Sequence, residues 1–198
     1  GRDAGRLMKT LEQILQERSS VIGEVQARAK AALTAYCTGR GFLLVNRTKD
    51  LVSIRDKIET GRYVSFSALD DLVAFSVVID TLGQETEVRR FLRKAFRVHA
   101  IKSGGTLQDE RSFDFDCTRA YCRLSDDAQL FDSEVSGMVF EVQIRTLLQH
   151  AWSKITHPYV YKSRVYDAKA GRLAAELMAQ LEVADRSFSR FRTSSKSV

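Results

Sequence analysis

The chain has 198 residues, a formal net charge of +6, 44% hydrophobic and 28% charged residues. That length is enough for one domain with a real core, in the composition range of a soluble fold. It excludes a disulfide framework, because Cys37, Cys117 and Cys122 are odd in number and lack paired spacing, and a zinc site, because no Cys-x-x-Cys occurs beside only three histidines.

No run reaches the roughly 18 apolar residues that cross a bilayer. The charged N-terminus has no signal-peptide core, so a reducing, cytoplasmic setting is expected. The first residue is Gly1 rather than Met, which suggests a piece of something longer, such as a larger effector. The basic balance favours anionic partners: nucleotides, RNA, DNA or an acidic protein. A merely solvated basic surface is the plain alternative.

Residues 7–37 predict one long helix. Leu7, Leu11, Ile14, Leu15, Ile22, Val25, Ala29 and Leu33 recur at helical spacing, Gly23 interrupts it, and residues 38–41 end it. Phe42 to Val45 reads as a short strand or as the entry to the next helix. That helix is expected over 49–59, with Leu51, Ile54 and Ile58 on one side. Residues 72–79 form an almost unbroken β-prone run, a buried strand. Gln84 to Phe96 reads as a helix, and Arg97 to Ile101 and Cys117 to Leu124 as strands. Gly137 breaks a loop before the last strand, Met138 to Arg145. Thr146-Leu147-Leu148-Gln149 matches a capping box, so a helix starts there. Pro158 is expected to end it. A final amphipathic helix is expected from about Asp167 to Phe191, with Leu173, Leu177, Leu181, Ala184 and Phe188 inward and a frayed tail from Thr193. The order predicts a single α+β domain over 1–198, a mixed β-sheet of about five strands flanked by helices. A helical region to residue 41, a core over 42–162 and a C-terminal helix from 163 divide it.

The richest segment is residues 138–146. In a strand of period two, Phe140, Val142 and Ile144 face the core, and Glu141, Gln143 and Arg145 face the other way. A carboxylate, an amide and a guanidinium in a row suit acid–base chemistry and anion binding. An amphipathic strand with a solvated face is the bland reading. His150 and His157 follow seven residues apart on one helix face, near Tyr161 and Lys162. Upstream, Lys49, Ser53 and Lys57 fall at i, i+4 and i+8 on one helix face, suited to phosphates, and Arg47 offers a planar guanidinium for stacking on a base.

Together these segments resemble the synthetase domain of the RelA/SpoT family. Phe140-Glu141-Val142-Gln143-Ile144-Arg145-Thr146, then Gln149-His150-Ala151-Trp152, His157 and Tyr161-Lys162, is similar to the end of that domain. Arg47 to Lys57 is similar to its donor-nucleotide segment. Asp70-Asp71-Leu72-Val73-Ala74-Phe75-Ser76 resembles Asp-[Ile/Leu]-x-Gly-x-Arg, with Ala74 for Gly and Ser76 for Arg. The acceptor segment departs furthest: Phe115 stands where the family has Tyr, and Arg119 where it has His.

The resemblance implies a nucleotidyltransferase-like fold and transfer of the β,γ-pyrophosphate of ATP to a ribose 3′-hydroxyl. It implies Glu141 as the base, Arg47, Lys49, Ser53 and Lys57 on ATP, and Phe115, Arg119, Gln143, Arg145 and His150 on the acceptor. Asp71 and Glu141 are implied as ligands of Mg²⁺. GDP or GTP, an adenosine nucleotide (AMP, ADP or ATP), or the 3′ end of tRNA is the implied acceptor, and a toxin-type member would have an immunity or antitoxin partner. A different class of reading is a binding module for nucleotides or RNA on a decayed synthetase fold. Ala74 and Ser76 favour it, and the retained Glu141, Lys49, Ser53 and Lys57 oppose it. Alarmone hydrolysis is not expected, because His99, His150 and His157 are each followed by Ala or Pro rather than by the hydrolase's Asp.

Overall fold

The computed structural model describes residues 16–48, 72–103, 117–125, 133–160 and 168–195. Helix α1, Ser19–Arg40, buries Val25, Ala29, Leu33 and Cys37. These lie four residues apart, so they form one stripe. Gly23 does not divide the helix; its cost of about 1 kcal/mol relative to Ala is outweighed by the buried stripe that follows. Gly41 ends it in the left-handed conformation, φ 70°, which L side chains resist. Strand β1, Leu43–Thr48, is the strand of the two alternatives expected at 42–45, and it runs on to Thr48. Residues 7–15 and the helix expected over 49–59 lie outside the described residues.

Strand β2 is Val73–Ile79, and a 3₁₀ turn, Leu82–Gln84, leads into helix α2, Glu85–Ala95. Strands β3, Phe96–Lys102, and β4, Thr118–Leu124, follow. A short helix α3, Ser133–Gly137, occupies part of the expected loop and inserts Val135 into the core. Strand β5 is Phe140–Thr146, helix α4 Leu147–Val160 and helix α5 Ala168–Ser195. Among these helices none is long and apolar enough to cross a membrane.

The five strands form one sheet in the order β1-β2-β5-β4-β3. The central pair, β2 and β5, is parallel and the other pairs are antiparallel. Strand β3 is an edge, with its register shifted by a bulge between Val98 and Ala100. One face of the sheet carries the core. Phe140 makes edge contacts with Phe75 and Phe96, at 6.2 and 5.2 Å between ring centroids. Phe96 meets Phe91 of α2, which stacks on Tyr36 of α1 at 3.9 Å. A line of aromatic rings thus ties both helices to the middle of the sheet, and Arg40 pairs with Glu87 to link the helices outside it. Burial raises the Cys37 thiol to about 11 and the Cys122 thiol to about 12, so both stay protonated at neutral pH.

Three expectations at the C-terminal end fail. Pro158 does not end α4, which continues to Val160. The donor it removes is a single bond in the last turn, so only two residues depend on the backbone beyond it. Leu173, Leu177 and Phe188 do not point inward: they are 53%, 52% and 54% exposed. Leu181 and Ala184 are half-buried, and the most deeply buried of the described residues of α5 is Asp185. Its Oδ2 accepts a 2.6 Å hydrogen bond from Thr146 Oγ1, so a polar contact sets the rotation of this helix. The tail stays helical to Ser195, with the hydroxyls of Thr193, Ser194 and Ser195 donating to carbonyls one turn back.

Candidate active site

The face of the sheet opposite the aromatic core is polar, and the strand registers set its pattern. One cross-strand row runs Arg47 on β1, Ala74 on β2, Glu141 on β5, Tyr121 on β4 and Ala100 on β3. The next row, two residues along, runs Val45, Ser76, Gln143, Arg119 and Lys102. Residues opposite each other in a ladder share a face, and those two apart on one strand share it too. The alternation expected for residues 140–145 is therefore realised. Phe140, Val142 and Ile144 are buried in the core, and Gln143 and Arg145 are half-buried on the other side.

Glu141 is only 5% exposed. A carboxylate at that depth is costly to ionise unless a cation pairs with it. Arg119 supplies the cation, with its Nε 3.5 Å from Glu141 Oε1. Gln143 is held from two sides. Its Oε1 accepts from Arg145 Nη2 at 2.6 Å and from Ser76 Oγ at 3.3 Å. Two donors on one atom identify it as the amide oxygen and leave the NH₂ arm as the group's own donor.

The strand hands over to α4 through a reciprocal cap. The Thr146 N–H donates to Gln149 Oε1 at 2.9 Å, and the Gln149 N–H donates to Thr146 Oγ1 at 3.2 Å. His150 follows in the first turn, half-buried. Burial lowers its pKa, and the positive charges of Arg145 and Lys154 lower it further, so the imidazole is neutral at pH 7.

The structure thus brings Glu141, Gln143, Arg145 and Arg119 into one patch, with His150 at its border. Arg47 has its backbone in the Glu141 row; its side chain, and all of Lys49, Ser53, Lys57, Asp71 and Phe115, lie outside the described residues. Two further residues belong to the patch. Tyr121 lies directly opposite Glu141, and Lys102 holds its ammonium 5.0 Å from the centre of the Tyr121 ring. Alternation along β4 from Arg119 was the signal for Tyr121; nothing in the sequence fixed the register that brings Lys102 in. An open cavity of about 450 Å³ lies along β3, lined by Arg93 and residues 96–101, and contains none of the expected site residues.

A hard divalent cation needs oxygen ligands. Among the described residues no group of three or more His, Cys, Asp and Glu gathers. Glu141 is the carboxylate on these two rows, a donor of the right chemistry, and Asp71 is its expected co-ligand.

Residues 46–166 match the family described as "Region found in RelA / SpoT proteins". No curated protein matches the sequence. Among solved structures, the chain is similar to a GTP pyrophosphokinase family protein from Streptococcus pneumoniae, at 18% identity and TM-score 0.71, covering 96% of this chain and 97% of that one. It is also similar to small alarmone synthetase 1 from Bacillus subtilis bound to its product pppGpp, at 18% identity and TM-score 0.69, covering 93% and 97%. The same synthetase bound to AMPCPP gives 18% identity and TM-score 0.63, covering 96% and 100%. At such identities the likeness establishes the fold.

Proposed function

Because the chain belongs to the RelA/SpoT family, we propose that it is a pyrophosphokinase that moves the β,γ-pyrophosphate of ATP onto the ribose 3′-hydroxyl of a nucleotide acceptor. The observation that carries this reading is Glu141, buried on the polar face of the sheet and paired with Arg119. In this reading its carboxylate takes the hydroxyl proton while the oxygen attacks the β-phosphorus of ATP and AMP leaves. Arg47, Lys49, Ser53 and Lys57 hold the donor phosphates and base. Arg119, Gln143 and Arg145, with neutral His150 and Phe115, receive the acceptor. Mg²⁺, held by Glu141 and Asp71, would supply charge neutralisation at the phosphate oxygens. The fold shared with a synthetase that binds AMPCPP and pppGpp supports an ATP-like donor and a 3′-pyrophosphorylated product.

The test incubates the protein with ATP and Mg²⁺ and, in separate arms, GDP or GTP, the adenosine nucleotides, and tRNA, and identifies products by mass spectrometry. One arm should yield AMP and an acceptor heavier by one pyrophosphate. Glu141→Gln should abolish that product while ATP binding persists. An E141Q protein with wild-type turnover removes Glu141 as the base. ATP and acceptor binding without turnover in every arm leaves a binding module, the reading that Ala74 and Ser76 favour.

A further inference from the structure

Resting on the pyrophosphokinase reading, we propose that Asp185 of α5 is a positioning residue for His150. Through Thr146 and Gln149 its carboxylate fixes the first turn of α4, and with it the imidazole that this reading gives to the acceptor.

Helix α5 does not pack as its large apolar residues would have it. Leu173, Leu177 and Phe188 stand in solvent, while Asp185, 2% exposed, is turned inward. Among the described residues the carboxylate meets no cation: its Oδ2 accepts from Thr146 Oγ1 at 2.6 Å, and its Oδ1 has no hydrogen-bond partner. Burial pushes its pKa up, because the charged form is costly there. A helix that exposes leucines and buries one carboxylate breaks the rule of apolar burial, and such breaks fall at sites with a task beyond folding.

The task is legible at the turn. The Thr146 hydroxyl accepts from the Gln149 N–H at 3.2 Å and gives its own proton to Asp185, and the Thr146 N–H donates to Gln149 Oε1 at 2.9 Å. His150 is the next residue after Gln149. Strand β2 supplies the comparison. The same Thr-x-x-Gln pattern follows it, with the Thr81 N–H donating to Gln84 Oε1 at 3.0 Å. There the Thr81 hydroxyl has no hydrogen-bond partner among the described residues, and a helical turn starts all the same. A turn of this kind therefore forms without a carboxylate. Asp185 adds order to it, and the turn it orders is the one that carries His150. The imidazole is half-buried there, within reach of the charges of Arg145 on β5 and Lys154 on α4. A second tether holds α5 without touching this turn: Arg192 pairs with Asp80 at 3.0 Å, about two helical turns from Asp185. It separates a loosened helix from a misplaced His150.

The experiment takes two readings on the full chain. NMR titration of the His150 imidazole, assigned with His150→Ala, needs no turnover. Transfer is measured with ATP, Mg²⁺ and whichever of GDP, ATP or tRNA the wild type converts. Asp185→Ala should raise the His150 pKa toward the ordinary 6.5 as its cover loosens, whereas loss of a negative charge alone would lower it. It should reduce kcat/KM for the acceptor about tenfold, leave AMPCPP affinity unchanged, and cost nothing further in a His150→Ala background. Asp185→Asn, whose amide oxygen still accepts from Thr146, should restore both readings, and Arg192→Ala should alter neither. Asp185→Leu, which fills the space but accepts no bond, repeats the test if the alanine variant unfolds. The proposal is overturned by an unmoved His150 titration in folded D185A or D185L, by losses that multiply with those of H150A, or by failure of both variants to fold. A titration that depends on Asp185 in a protein that transfers nothing sinks the pyrophosphokinase reading and leaves the positioning role standing.

Discussion

The two faces of the central sheet are built from the same strands, often one residue apart, yet they carry opposite tasks. On one face Phe140 sits at the centre of a chain of aromatic contacts reaching both α1 and α2. On the other, Glu141 is nearly as buried but is held by an ion pair with Arg119. The first face is secured by buried apolar area and ring packing; the second depends on individual polar atoms and on the side chains that hold them. Neighbouring substitutions should therefore separate cleanly into losses of fold and losses of chemistry.

The largest separation is expected at residues 140 and 141. Glu141→Gln should lower pyrophosphate transfer by about 10²- to 10⁴-fold, measured in single turnover, and leave the melting profile close to wild type. Phe140→Ala should do the reverse, costing about 3–5 kcal/mol in chemical denaturation through the cavity it opens. If Phe140→Ala kept full stability, the aromatic line would not be what joins the helices to the sheet.

A smaller effect tests the ion pair. Arg119→Ala leaves the Glu141 carboxylate without this partner and should cost about 1–3 kcal/mol, much of it recovered when Glu141→Gln is added. Equal losses in the single and double variants would mean the two residues are independent. The cap between β5 and α4 comes next. Thr146→Ala removes the one hydroxyl that both accepts from the Gln149 N–H and donates to Asp185, for about 1–2 kcal/mol in urea denaturation.

The smallest effect is in pH. The folded-state pKa of His150 lies below the ordinary 6.5, mainly through burial. The unfolded chain takes up this proton first as pH falls, so stability from the neutral imidazole is full above about 6.5 and is lost as pH drops through the folded value. His150→Gln should flatten the decline in urea midpoint measured from pH 7.5 to 5. A decline of the same slope would assign it to other groups.

Much of this division was legible in the sequence because a strand's period is short and strict. Once residues 140–146 are a strand, the face of Glu141 follows, and the capping pattern at Thr146 to Gln149 is local enough to read directly. What could not be read depends on contacts between distant segments. The register opposing Lys102, Arg119, Gln143 and Ser76 joins four strands. The rotation of α5 was misjudged because its apolar residues suggested an inward stripe, while a hydrogen bond between Asp185 and Thr146, far apart in the chain, turns that helix. The same inference from hydrophobic spacing held for α1, where a single stripe faces the sheet and no buried carboxylate competes with it.

The bulge in β3 has a consequence of its own. An outer strand leaves backbone donors and acceptors unclaimed, which is an invitation for another chain to extend the sheet. Here the irregular register near His99, flanked by the exposed Arg97 and Lys102, spoils the straight, neutral template that such growth requires. Deleting His99 would straighten this border, and replacing Arg97 and Lys102 with threonine would discharge it. A protein so altered should pass from a dispersed solution into fibrillar or amorphous aggregates at concentrations the parent tolerates.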